Sequence, residues 1–147
     1  MFRYIAFILG IVFVLSANPE PVYAQRTTEI TLGGYNHRPM VRTPAIGFMK
    51  VTVEGDSLFV EGEFEELRGV YWSGYIHHGE VGKTGHRLLR LQPTLDENRN
   101  SGVFKREENA FLLTDAVRDA LRRGRLYINI ASNRFQHGEI RGQIPAM

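Results

Sequence analysis

The sequence predicts a mostly β protein, an antiparallel sandwich or barrel with one short helix before the final hairpin. Three observations carry this expectation. Apolar and polar residues alternate with period two through most of the chain after Gln25, the pattern of strands with one buried face. Only one segment repeats with a helical period. Cysteine is absent, so packing must hold the fold without disulfide support.

The chain has 147 residues and opens with Met1, Phe2 and Arg3 ahead of the apolar run YIAFILGIVFVLSA, residues 4–17. As a helix that run reaches about 21 Å, short of the roughly 30 Å hydrocarbon core of a bilayer. Val22-Tyr23-Ala24 then precedes Gln25. One early cation, a short apolar core and small residues at a cleavage site together read as a secretory signal over residues 1–24. The expected mature chain is secreted or periplasmic and has no transmembrane segment. What remains suits one domain, with residues 25–44 an N-terminal extension carrying the first strand and residues 45–147 the main body.

In GFMKVTV, Met49, Val51 and Val53 share one side while Lys50 and Thr52 share the other. The turn Glu54-Gly55-Asp56-Ser57 leads into LFVEGEF, where Leu58, Val60 and Phe64 form an apolar side. Two alternating runs across a Gly-Asp turn predict a hairpin. Between 70 and 78, alternation puts Val70, Trp72, Ile76 and His78 toward the core and Tyr71, Ser73, Tyr75 and His77 outward. HRLLRL, residues 86–91, is a further strand, and QPTLDENRNSG after it reads as a surface loop because of its Pro, Asn and Gly content. TDAVRDALRRG predicts the helix. Thr114 caps it, Gly124 stops it, and Ala116, Val117, Ala120 and Leu121 make its apolar stripe. LYINI and EIRGQI close the chain, burying Leu126, Ile128, Ile130, Ile140 and Ile144.

Lys and Arg number 18 against 16 Asp and Glu, a formal charge of +2. That excess is too small and too dispersed to indicate nucleic-acid binding. The cluster Arg118, Arg122, Arg123 and Arg125 reads as a solvated helix face. Gly82-Lys83-Thr84 suggests a phosphate loop, yet His77 stands where that motif needs its first glycine and a strand follows where it needs a helix. Ser73 lacks the glycine two places earlier that a nucleophile elbow requires. Glu61 and Glu63 lie on the solvated side of a strand.

The segment YIHHGEVGKTGH, residues 75–86, concentrates three histidines. Neighbouring strand residues point to opposite faces, so His77 and His78 do not share an ion unless a bulge intervenes. Zinc needs at least three protein ligands, which requires His86, His137 or His37 to converge from separate loops. Tyr71, Tyr75 and His77 are the candidates for an exposed recognition surface, the competing expectation being that a second sheet or the 92–102 loop covers this face. Glu139 and Arg141 fall two apart on the outward face of the last strand, within reach of Tyr127 and Asn129.

LYINIASNRFQHGEIRGQI, residues 126–144, resembles the end of a CHRD domain, the module named after chordin. Leu126, Tyr127, Asn129, Ile130, Gly138, Glu139, Ile140, Arg141, Gly142 and Gln143 match its pattern. The hairpin VTVEGDSLFVEGEFEEL and the segment YIHHGEVGKTG resemble its earlier strands and glycine-bearing loop, so the resemblance covers residues 45–144. The chain departs from the pattern where Tyr75 replaces the first histidine of His-Ile-His and Ala131 replaces the histidine after Asn-Ile. The resemblance implies an immunoglobulin-like or superoxide-dismutase-like β-sandwich, exported, with no established catalytic activity. In animals the family is associated with binding growth factors of the bone-morphogenetic type. The expectation is a non-catalytic binding or structural module, holding an unknown protein or envelope ligand and no cofactor. Its candidate binding residues are Tyr71, Tyr75, His77, Asn129, Glu139 and Arg141. The alternative is a Cu- or Zn-binding protein, or a dismutase-like enzyme, using His77, His78, His86 and His137.

Overall fold

A computed structural model describes residues 24–147. The apolar run and all of the expected signal except Ala24 lie outside the described residues. Among the described residues no helix is long and apolar enough to cross a membrane.

Strands β1 (Arg26–Gly33), β2 (Ile46–Glu54) and β3 (Ser57–Glu65) form a meander, followed by β4 (Tyr71–His78) and β5 (Arg87–Arg90). Three short strands come next, β6 (Pro93–Leu95), β7 (Gly102–Phe104) and β8 (Ala110–Leu112). Helix α1 (Asp115–Arg122) precedes the last hairpin, β9 (Leu126–Ser132) and β10 (Ile140–Ile144). All pair antiparallel in one 10-stranded sheet of order β5-β4-β9-β10-β1-β2-β3-β7-β6, with β8 on β3. The end strands β5 and β6 are joined by Leu91 and Gln92 alone, so the sheet curls on itself around its apolar side. The predicted class therefore holds: mostly β, antiparallel, one helix ahead of the final hairpin. The extra strands are three residues each, too short for alternation to show in the sequence.

The predicted hairpin forms around Gly55 and Asp56, with Val51 opposite Val60 and Val53 opposite Leu58. Met49, Val51, Val53, Leu58, Val60 and Phe64 are all buried. The expected loop at 92–102 is a small hairpin instead. Pro93 opens β6, where a strand's first residue needs no N–H, and Asp96 Oδ1 accepts from the amides of Asn100 and Ser101 to turn the chain. Thr114 caps α1 by accepting from Val117 N–H at 3.4 Å, and Gly124 ends it at φ 65°. Val117, Ala120 and Leu121 face the core, while Ala116, expected in the stripe, is exposed.

One error of phase matters for the site. In β4 the register shifts between Tyr71 and Ser73, so that Trp72 is the extra residue of a bulge. Trp72 and Val70, expected in the core, are exposed. Tyr71, expected outside, turns inward and stacks on Phe64 with ring centroids 5.6 Å apart. Beyond the bulge Ile76 resumes the core phase at 0% exposure.

Candidate functional site

The sheet face opposite the core is polar where β4, β9 and β10 run side by side. Register places His77 beside Tyr127, Tyr75 beside Asn129, Asn129 beside Arg141 and Tyr127 beside Gln143. Alternation put these residues on one face. It did not show that the face is covered.

The cover is the loop that YIHHGEVGKTGH runs into. Residues 79–86 fold back over the face and are latched by its side chains. Gln143 Nε2 donates to Gly79 O at 3.0 Å, and Arg141 Nη2 donates to Glu80 O at 3.1 Å. Gly85 N–H donates to Tyr127 Oη at 3.0 Å, and His77 Nδ1–H donates to Gly85 O at 3.0 Å. That last bond fixes the His77 tautomer, since a carbonyl only accepts, and leaves Nε2 as the acceptor of the neutral ring. Gly85 sits so close to the end of β4 that a Cβ there would lie 1.4 Å from His78 O. Only glycine fits this approach.

The latch is built largely from residues of the C-terminal stretch, Tyr127, Arg141 and Gln143. Tyr127 has His77 stacked at 4.8 Å from the β4 side, and Arg141 from the β10 side lies 3.5 Å over its ring. A second loop, after β1, joins the same face: Asn36 Nδ2 donates to Arg141 O at 2.8 Å. Asn129 Nδ2 donates to His137 O at 3.0 Å, tying in the β9–β10 loop. His37 Nε2 and Asn129 Oδ1 are buried without partners.

Glu139 and Arg141, expected on an exposed strand face, are buried at 0% and 5% exposure. The reason is coverage by loops from elsewhere in the chain. Glu139 Oε1 accepts from Thr43 Oγ1 at 2.5 Å and from Arg68 N–H at 2.7 Å, binding the segment before β2 and the β3–β4 connection to the start of β10. The exposed surface expected from Tyr71, Tyr75 and His77 does not form. Tyr71 belongs to the core side, where burial pushes its phenol up to about 12; His77 is 8% exposed; Tyr75 is half-buried with the Arg87 guanidinium 4.8 Å over its ring.

Between the three loops lies a cleft of about 680 Å³. Tyr75, His77, Asn129 and the β4–β5 loop form its floor and one wall, His37, Arg38 and residues 134–138 the others. His37, His77, His86 and His137 all line it, whereas His78 does not, though its ring lies 5.3 Å from that of His86. Shared lining is not shared ligation. Among the described residues no three His, Cys, Asp or Glu side chains stand in an arrangement that holds a metal ion. Arg38, Arg87 and Arg134 reach the cleft as well, and nothing in their sequence spacing signalled this.

Burial lowers His37 from its ordinary 6.5, and the Arg141 guanidinium adds to the effect, with contacts to Ile140 and Asn129 opposing. Burial likewise lowers His77, opposed by its bond to Gly85 and reinforced by Arg87, Arg141 and His86. Both rings are depressed bases, so below pH 6.5 the unfolded chain binds more protons than the folded one. Their contribution is intact above 6.5 and is lost as pH falls through the folded values. The urea midpoint is therefore expected to drop between about pH 7 and pH 5, and less steeply in His37→Gln/His77→Gln. A flat or rising midpoint in the parent protein contradicts this.

The chain is thus a β-rich domain, a curled antiparallel sheet whose polar face is roofed by latched loops with a basic cleft at their junction. The sequence profile of the CHRD domain matches residues 28–144, and the chain belongs to that family. The match takes in β1 from Thr28 onward, a strand that pairs with residues 46–53 of β2. No curated protein and no solved structure matches the chain.

Proposed function

We propose that this chain is an exported, non-catalytic binding module whose ligand site is the cleft between the 34–41, 79–86 and 134–138 loops. The observation that carries this reading is the latch. Tyr127, His77, Asn129, Arg141 and Gln143 each hold a loop backbone in place, which pre-organises the walls of the cleft and lowers the ordering cost of binding. His77 Nδ1–H is committed to the Gly85 carbonyl, so this imidazole serves to hold the loop. Export rests on the charged start, short apolar run and Val22-Tyr23-Ala24 site of the first 24 residues. The rival reading, a Cu or Zn centre on His77, His78, His86 and His137, has three of these imidazoles on the cleft, but among the described residues no group of three His, Cys, Asp or Glu side chains is placed to hold one ion.

The test begins with the full chain expressed with its leader. N-terminal sequencing of the exported product is expected to start near Gln25. Amide shift mapping on that product, with small probes of negative, positive and no charge, is expected to move Gly85, Asn129 and Gly138 with at least one probe class. Shifts confined to other surfaces, or none, overturn the reading. So does stoichiometric Cu or Zn with a raised melting temperature.

A further inference from the structure

We propose that the ligand of this cleft is an oxyanion carrying at least two negative charges, a polycarboxylate or a sulfate-bearing compound. The inference rests on the reading of the cleft as a binding site and names its ligand class.

The charges of the cleft are one-sided. Arg38, Arg87 and Arg134 line it together with four imidazoles, and no Asp or Glu does. Six described cations elsewhere are ion-paired: Lys50 with Glu61, Lys105 with Glu108, Arg106 with Glu54, Arg118 with Asp56, Arg123 with Asp119 and Arg125 with Glu80; others, such as Arg90, Arg99 and Arg122, stand singly outside the cleft. Among the described residues none of the three cleft arginines has a carboxylate within ion-pair distance, nor does Arg141 behind them.

Arg141 adds an independent observation. The residue is 5% exposed, yet the neighbours of its guanidinium are the Tyr127 ring, the Glu80 carbonyl and a second cation, Arg38. A buried cation is ordinarily paired, because desolvation without a counter-charge is costly. Arg87 is likewise held over an aromatic ring, which orients a guanidinium without neutralising it. Planar guanidinium forks held in this way suit the paired oxygens of carboxylate and sulfate. The cleft volume of about 680 Å³ admits a small organic anion or the end of a charged oligosaccharide.

Calorimetric titration of the exported chain tests this with citrate, inorganic sulfate and a sulfated oligosaccharide. Glycerol and spermidine serve as uncharged and cationic controls. The expected result is saturable binding of at least one anion, weakened roughly 30-fold or more in Arg87→Ala/Arg134→Ala. Arg122→Ala/Arg123→Ala, which removes the same charge from α1, should bind as the parent does. Binding to the parent is also expected to weaken several-fold between about 0.02 and 0.2 M NaCl, a readout independent of any variant. Which anion binds tightest distinguishes a free small acid from a sulfated polymer. Glycerol or spermidine binding in the cleft while every anion fails overturns this inference and leaves the binding site standing. No binding by any of the five probes up to about 10 mM overturns both. Equal weakening in the two double variants shows nonspecific attraction and also overturns the inference.

Discussion

Replacing Gly85 with alanine is expected to detach the 79–86 loop from the sheet and abolish the cleft. The added Cβ would stand 1.4 Å from the His78 carbonyl oxygen, a backbone atom that no rotamer change can move aside. The chain must shift, and it takes with it the Gly85 N–H that Tyr127 accepts and the carbonyl that receives His77 Nδ1–H. Overpacking of this kind costs about 1–3 kcal/mol, and buried polar groups left unpaired add about 1–3 kcal/mol each. A loss of roughly 3 kcal/mol and of about 10 °C in Tm follows for a domain of this size. The core should survive, because Ile76, Ile128 and Ile140 pack on the other side of the sheet from the loop. The variant should thus remain folded while the amide shifts of Asn129 and Gly138 change and probe binding disappears. A variant with parental Tm and an unaltered cleft would mean that the loop is not held as the latch requires.

How far the sequence revealed this site depends on what alternation measures. Period two assigns each residue to a face, and for β9 and β10 it placed Tyr127, Asn129, Arg141 and Gln143 together correctly. It carries no information about what lies above a face. Arg141 was therefore expected to be exposed, though residues 79–86 and 34–41 bury it. A bulge resets the period, which is why Tyr71 and Trp72 exchange sides. Contacts between distant loops leave no local trace at all: His37 and Arg38 meet residues 134–138 across about a hundred positions. Asn109 is the clearest omission. It is 0% exposed and its side chain accepts from Gln92 N–H and donates to Gln92 O and Lys105 O, closing the seam where the sheet curls round. As one asparagine in a polar run it carried no periodic signal.

Glu139 sits at the other end of the matched pattern, and its removal is expected to loosen the fold rather than the ligand. Its Oε1 is the common acceptor for the Thr43 hydroxyl and the Arg68 amide, so two connections that share no sequence neighbourhood depend on one atom. Glu139→Ala leaves both donors without their acceptor in a place that is 0% exposed at the glutamate itself, at a cost of about 2–4 kcal/mol. Glu139→Gln keeps a carbonyl oxygen for those donors and alters only the Oε2 position, which is buried and makes no hydrogen bond. Its loss should be less than half that of the alanine variant by urea denaturation. Because Thr43 and Arg68 lie outside the cleft lining, anion affinity should change little in either variant below its melting point. Equal destabilisation by alanine and glutamine would show that the carboxylate is held for a reason other than its shared acceptor atom. If neither variant lost stability, Glu139 would not be the tie between these connections, and the agreement of this chain with the family at Gly138-Glu139-Ile140-Arg141 would then rest on Arg141 and the loop it latches.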